Sequence, residues 1–219
     1  MITKLAACIR QVSGRGRRFS SDRLLAEAAF VVLDIETTGL WAEVDEVLEV
    51  GAIKLAGNRI RVGQTFHRLV RPRQKSWGRT VPIHRIRPVD VVTAPPAEVV
   101  IPELVEFCRD HIIVGHKVGF DRAFLRRAGF PVGEFLWVDT GRVERWLAVQ
   151  AARQPEAGRA PEVEDLETLA RRYRVELLRP HNALADALAT AGIWQRQLYR
   201  LQAFRVKTVG DLVLVGREA

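Results

Sequence analysis

Phe30-Val31-Val32-Leu33 is an unbroken apolar run that stops at Asp34. Four apolar residues in a row without alternation need cover on both faces, so the run predicts a strand in the middle of a sheet with helices on either side. Its polar stop brings the strand's end to a surface. Leu48 to Ala56 and Ile60 to Val70 read as two further strands, and Gly57-Asn58 between them is a hairpin-turn pair. After the Pro- and Arg-rich loop 71–97 the period changes. Glu98 to Asp110 has helical apolar spacing, and Ile112-Ile113-Val114 is a short strand closed by Gly115. Phe120 to Ala128, Asp139 to Ala152 and Leu166 to Tyr173 fit helices, Phe135 to Val138 a strand, and Ala183 to Leu201 a long final helix. The expected fold is α/β, a mixed five-stranded sheet in which a three-strand meander precedes alternating α and β elements, flanked by helices.

The boundaries expected are a basic N-terminal arm over 1–28, one domain over 29–203 and a C-terminal tail over 204–219. Within the arm a helix-like segment opens at Ser20 or Ser21, and residues 153–164 read as a mobile loop. At 47% hydrophobic content the 219 residues can build a core without staples. Cys8 and Cys108 are far apart and form no C-x-x-C pair, so neither a disulfide framework nor a zinc knuckle is suggested and a reducing compartment is expected. No run nears the roughly 18 apolar residues of a membrane span, and no leader pattern opens the chain. The expectation is a soluble, cytoplasmic protein with no membrane partner.

The formal charge is +8, which suits a polyanionic partner. Residues 1–28 hold six Lys/Arg against two acids, and 200–219 hold four against two, so much of the excess lies in the ends. One internal stretch stands out. From Arg59 to Arg87 there are nine Lys/Arg and no acid, with Trp77 and His84 interleaved. Cations in such a loop can bind phosphates and an aromatic can stack on a base.

Asp34 and Glu36 flank Ile35 at the end of the first strand, and a period of two puts both carboxylates on one face. Such a pair repels itself unless a cation lies between. Thr37-Thr38-Gly39 follows, with a glycine suited to a tight turn. Asp121 opens a helix just after a strand, in Gly115-His116-Lys117-Val118-Gly119-Phe120-Asp121. His181 and Asp186 stand at the start of the last long helix. Each segment alone is an ordinary cap or surface feature; the three in this order supply four carboxylates and a histidine.

Together the three segments resemble the DEDD exonuclease superfamily, and the H-x-x-x-x-D spacing from His181 to Asp186 resembles its histidine branch, which includes polymerase proofreading subunits, oligoribonuclease and ribonuclease T. The likeness runs from about Phe30 to Gln202. It implies a ribonuclease-H-like fold and 3′→5′ hydrolysis of single-stranded DNA or DNA 3′ ends, in proofreading or repair. It also implies two Mg²⁺ or Mn²⁺ ions held by Asp34, Glu36, Asp121 and Asp186, with His181 as general base. Two such ions activate water and stabilise the leaving oxygen. Imidazole titrates near neutral pH, as a general base must. Thr37, Thr38, Leu40, His84 and Lys117 are the implied substrate contacts, while His116 reads as structural, and a DNA polymerase subunit is an implied partner. Ile83-His84-Arg85-Ile86 has Arg85 where relatives carry glycine, and Lys117 replaces a common asparagine. RNA trimming on the same fold, or an inactive nucleic-acid-binding module, are the alternatives.

Overall fold

The computed structural model describes residues 19–73, 77, 79–152 and 163–218. Its apolar run is the middle of one sheet. Strands β1 (Ala29–Thr37), β2 (Val47–Ala56), β3 (Arg59–Leu69), β4 (Ile112–Gly115) and β5 (Trp137–Asp139) are arranged β3-β2-β1-β4-β5. β1 pairs antiparallel with β2, placing Glu36 opposite Glu49, and β2 pairs antiparallel with β3. On its other side β1 runs parallel to β4 only from Phe30 to Val32, and β4 runs parallel to β5. β1 therefore outruns β4, and Asp34 and Glu36 lie past the last parallel pair, at the carboxyl ends of the strands where open α/β sheets bind ligands. Gly57 takes φ 56°, the positive φ that a two-residue hairpin of this kind needs.

The helices are α1 (Val81–His84), α2 (Pro88–Val91), α3 (Ala97–Cys108), α4 (Gly119–Arg127), α5 (Thr140–Ala151), α6 (Leu166–Tyr173), α7 (Ala183–Ala203) and α8 (Val209–Glu218). Alternation along β1 divides the core between them. Phe30 and Val32 pack with Val143 and Leu147 of α5 and with Trp194, Leu198 and Leu201 of α7. Val31, Leu33 and Ile35 pack with Val100, Ile101 and Leu104 of α3 and with Phe124 and Leu125 of α4. Asp34 and Glu36 share the parity of Phe30 and Val32, so they emerge on the α7 side. Trp194 anchors that side, fully buried and edge-on to Phe30 with ring centroids 5.5 Å apart. Buried Glu144 ties three helices together, accepting from Arg200 (2.9 Å), Arg172 (3.2 Å), Gln197 (3.2 Å) and the Tyr173 hydroxyl.

Several expectations change here. The stretch expected as a C-terminal tail holds helix α8, with Val209, Leu212 and Val215 buried in the main core. The segment after Ser20 is a series of turns and not a helix. It pairs with the chain leading into α8, through Leu25 N–H to Lys207 O (2.8 Å), Val209 N–H to Arg23 O (2.9 Å) and Gly210 N–H to Ser21 O (2.8 Å). A backbone already bonded to a neighbouring segment gains less from bonding to itself. The loop 71–97 holds two helical turns, α1 and α2. Residues 1–18, most of the expected arm, lie outside the described residues, as does most of the expected mobile loop. Cys108 is buried in the core, and burial pushes its thiol up to about 12. No helix among the described residues is long and apolar enough to cross a membrane.

Candidate active site

Three elements converge at the end of β1. Asp121 sits in the first turn of α4, buried. Asp139, at the end of β5, aligns that turn: its Oδ2 accepts from the Val118 N–H (2.9 Å), while Oδ1 caps α5 through Gly141 and Arg142. His181 and Asp186 come from the start of α7, where Asn182 is the N-cap and accepts from Ala185 N–H (3.1 Å). His181 holds φ 64°, a left-handed conformation that turns the chain sharply into the helix. Asp186 reaches back so that its Oδ2 accepts from the His181 N–H at 2.9 Å. Its buried Oδ1 has no hydrogen-bond partner among the described residues. Ligand atoms of Glu36, His181 and Asp186 all lie within 4.8 Å of one another.

The electrostatics follow from crowding acids in a dry place. Asp34 is held well above the usual carboxylate range, first by burial and then by the charges of Asp121, Asp186, Glu36 and Glu49. Glu36 rises to about 8 through burial, Asp186, Glu49 and Asp121. Burial lifts Asp121 to about 7, opposed by hydrogen bonds from backbone amides including that of Ile35 and reinforced by Asp139. Burial likewise lifts Asp186 to about 6 against the His181 amide. A divalent cation reverses each of these penalties. The unspent Asp186 oxygen and the hard oxygen donors fit Mg²⁺ or Mn²⁺.

The turn after β1 is built differently from the expectation. Gly39 leaves room for the Asp45 carboxylate, which a Cβ there would meet at 2.3 Å. Asp45 organises the turn, accepting from the Thr38 hydroxyl (3.1 Å) and the Trp41 N–H (3.0 Å). The Thr37 hydroxyl donates to Gly39 O at 2.6 Å, and both threonines are buried. Arg127 of α4 clamps the turn's far side, donating to Ala42 O and Asp45 O at 2.8 Å each. The two hydroxyls thus serve the turn itself. Leu40 and Trp41 stand out from it at 71% and 70% exposure, so neither side chain covers the core.

His84 is buried, and its Nδ1 accepts from the Ile86 N–H (2.9 Å). Burial holds its imidazole below the ordinary range, in a wall shared with Glu49, the Thr37 backbone and His181. Arg85, standing where the resembled family has glycine, adopts φ 63°, so the loop keeps a glycine-like backbone at a cost of about 1–2 kcal/mol. Lys117 is exposed with φ 54°, a conformation asparagine also tolerates. His116 donates to the Thr140 hydroxyl (3.0 Å), which donates to Gly115 O (3.2 Å), in keeping with a structural role.

Two features of the basic stretch are corrected. Trp77 is 5% exposed and donates to Ile86 O at 3.1 Å, so it is core and offers no face to a base. Three of the stretch's nine cations meet acids outside it: Arg68 pairs with Glu103, Arg73 with Glu98 and Arg87 with Asp90. Lys75 lies outside the described residues.

Glu49, Asp45, Asp139 and Arg127 were not singled out from the sequence. Glu49 did leave a trace there, as the one acid inside the otherwise apolar Val47-Leu48-Glu49-Val50. Arg127, and Asp139 through Val118, act on backbone groups 21 to 85 residues away, which no local pattern reports.

The RNase_T family model, described as exonuclease, matches residues 31–194. The chain is 34% identical over 197 residues to the PolC-type DNA polymerase III of Caldanaerobacter subterraneus subsp. tengcongensis, covering 88% of this chain and 13% of that protein. It is 29% identical over 200 residues to the PolC-type enzyme of Thermotoga maritima, covering 90% and 14%. The chain therefore spans only a small part of these relatives. Among solved structures it is similar to E. coli Exonuclease I bound to a dT13 oligonucleotide, with a TM-score of 0.64 and 20% identity over 81% of this chain and 42% of that one. It is also similar to Exonuclease X in complex with 5′ overhanging duplex DNA, with a TM-score of 0.60 and 20% identity over 85% and 99%. At such identity the likeness is one of fold.

Proposed function

Since the chain belongs to the exonuclease family, within the DEDD superfamily of 3′→5′ exonucleases, we propose that it removes nucleotides from the 3′ end of single-stranded DNA at the carboxylate cluster closing β1. The observation that carries this reading is the meeting of Glu36, His181 and Asp186 within 4.8 Å, beside Asp34 and Asp121, with a buried Asp186 oxygen left unspent. Asp34, Glu36, Asp121 and Asp186 would hold two divalent ions, which when bound supply a nucleophilic water and charge neutralisation at the scissile phosphate. His181, exposed at the mouth, accepts the proton released in that attack. The exposed Leu40 beside the turn meets the terminal nucleotide, with Thr37 and Thr38 holding that turn in place. Lys117 and His84 complete the proposed contacts. PolC-type relatives and a structural neighbour bound to an oligonucleotide support DNA as substrate and a polymerase as partner.

The test uses 5′-labelled DNA and RNA strands of matched sequence, each with a blocked-3′-end control, in Mg²⁺, Mn²⁺ or EDTA. Stepwise shortening of unblocked DNA with either metal, and none in EDTA, is expected. Cleavage that ignores the 3′ block, or persists in EDTA, overturns the proposal, and faster loss of RNA reassigns the substrate.

A further inference from the structure

Glu49 is the buried acid that this reaction leaves unused. It is 3% exposed on β2, opposite Glu36, and its carboxylate is fully engaged. Oε1 accepts from His67 Nε2 at 2.5 Å and from Asn182 Nδ2 at 2.8 Å; Oε2 accepts from the Ala183 N–H at 2.9 Å. With three donors on it, Glu49 has little left for a metal. Two of those donors belong to the N-cap and first residue of α7, the helix that carries Asp186 and is entered through His181.

Gly51, two residues along β2 on the same face, explains why the contact is so close. A Cβ there would lie 2.2 Å from the Ala183 carbonyl carbon and the Leu184 nitrogen. The helix start thus rests directly on strand backbone, and Glu49 grips it from one side. A carboxylate at this end also meets the positive pole of the helix and satisfies an amide that no turn of the helix can. His67 offsets the charge brought so near four other acids, and the hydrogen bond to Glu49 pulls its imidazole above the ordinary range.

We infer that Glu49 is a positioning residue: seated with Gly51, it fixes the start of α7 on β2 and so sets Asp186 and His181 against Asp34 and Glu36. This rests on the metal-dependent reading of the site. The claim separates reach from charge. Glutamine in place of Glu49 keeps the reach and can still accept from Ala183 N–H, and its amide nitrogen donates to an unprotonated His67 while giving up the bond from Asn182 Nδ2. Aspartate keeps the charge but is one methylene too short to span to α7.

The experiment compares Glu49→Gln and Glu49→Asp in the full chain with the wild type. It measures kcat and KM on a single-stranded oligonucleotide, Mn²⁺ affinity by calorimetry, and hydrogen exchange at the Ala183 amide. Loss of outer support for a metal site lowers affinity or activity by roughly 10–100-fold. Glu49→Asp should show a loss of that size in kcat and Mn²⁺ affinity, with faster Ala183 exchange and KM within about twofold. Glu49→Gln should retain Ala183 protection and at least tenfold more activity than Glu49→Asp. Equal activity in the two variants, or the reverse order, overturns the inference. A wild type that shows no metal-dependent hydrolysis would instead sink the proposed function, and calorimetry and amide exchange would still decide the role of Glu49.

Discussion

At the end of β1, Asp34, Glu36, Asp121 and Asp186 each bind a proton more tightly folded than unfolded, because burial and mutual repulsion disfavour their charged forms. Groups raised in this way favour the metal-free fold below about pH 4, where both states are protonated, and withdraw that support as pH rises through the folded values of about 6, 7 and 8. A divalent cation replaces the protons. The increase in melting temperature on replacing EDTA with Mn²⁺ should therefore grow steadily from pH 5 to pH 8, as followed by circular dichroism; a constant increase would argue against these four as ligands. His181 calls for a different readout. His181→Ala should leave Mn²⁺ binding within a few-fold and lower kcat by roughly 10²–10⁴-fold, the usual worth of a positioned general base. A variant that kept the full rate and the acidic limb of the pH profile would lose His181 that role.

Two helices carry proposed ligands, and each has its start fastened by an acid that is not one of them: α4 by Asp139 through Val118, and α7 by Glu49 through Ala183. Loose helix starts, the usual condition of an α-helix, would leave Asp121 and Asp186 imprecisely placed. At the other end of α7 the chain turns into α8, whose apolar residues complete the core over Phe30 and Trp194. Leu212, 2% exposed, should therefore behave as a core residue. Leu212→Ala is expected to cost about 2–5 kcal/mol in urea unfolding. A change under about 0.5 kcal/mol would restore the view of this segment as a tail.

Across the whole molecule, net charge is a weaker guide than pairing. Arg68, Arg73 and Arg87 spend their charge on Glu103, Glu98 and Asp90, whereas Arg79 and Arg85 pair with no acid among the described residues. Both flank α1, whose N-cap Thr80 touches the turn after β1 through its hydroxyl, bonded to Thr38 O at 3.2 Å. On an inactive Asp34→Ala background, replacing Arg79 and Arg85 with Gln should each lower the slope of log affinity against log salt by roughly 0.7 for a single strand. Replacing Arg68 and Arg73 should change it little. Equal effects from both pairs would show that the loop acts through its total charge.

Much of the fold could be read locally. An unbroken apolar strand, a Gly-Asn turn and the change from period two to period 3.6 are consequences of how each residue meets its near neighbours, and they led to five strands and the main helices. The candidate ligands were also legible, because Asp34 and Glu36 share a strand face and His181 and Asp186 share a helix start. Whatever depends on distant chain was decided by tertiary structure. Trp77 is buried beneath Ile86, three arginines of the basic stretch meet acids of α2 and α3, Val209, Leu212 and Val215 of α8 pack on the core, and Glu49 bonds to residues more than 130 positions away. A side chain's identity sets what it can bond to, but burial and the partner that arrives set which of those bonds forms.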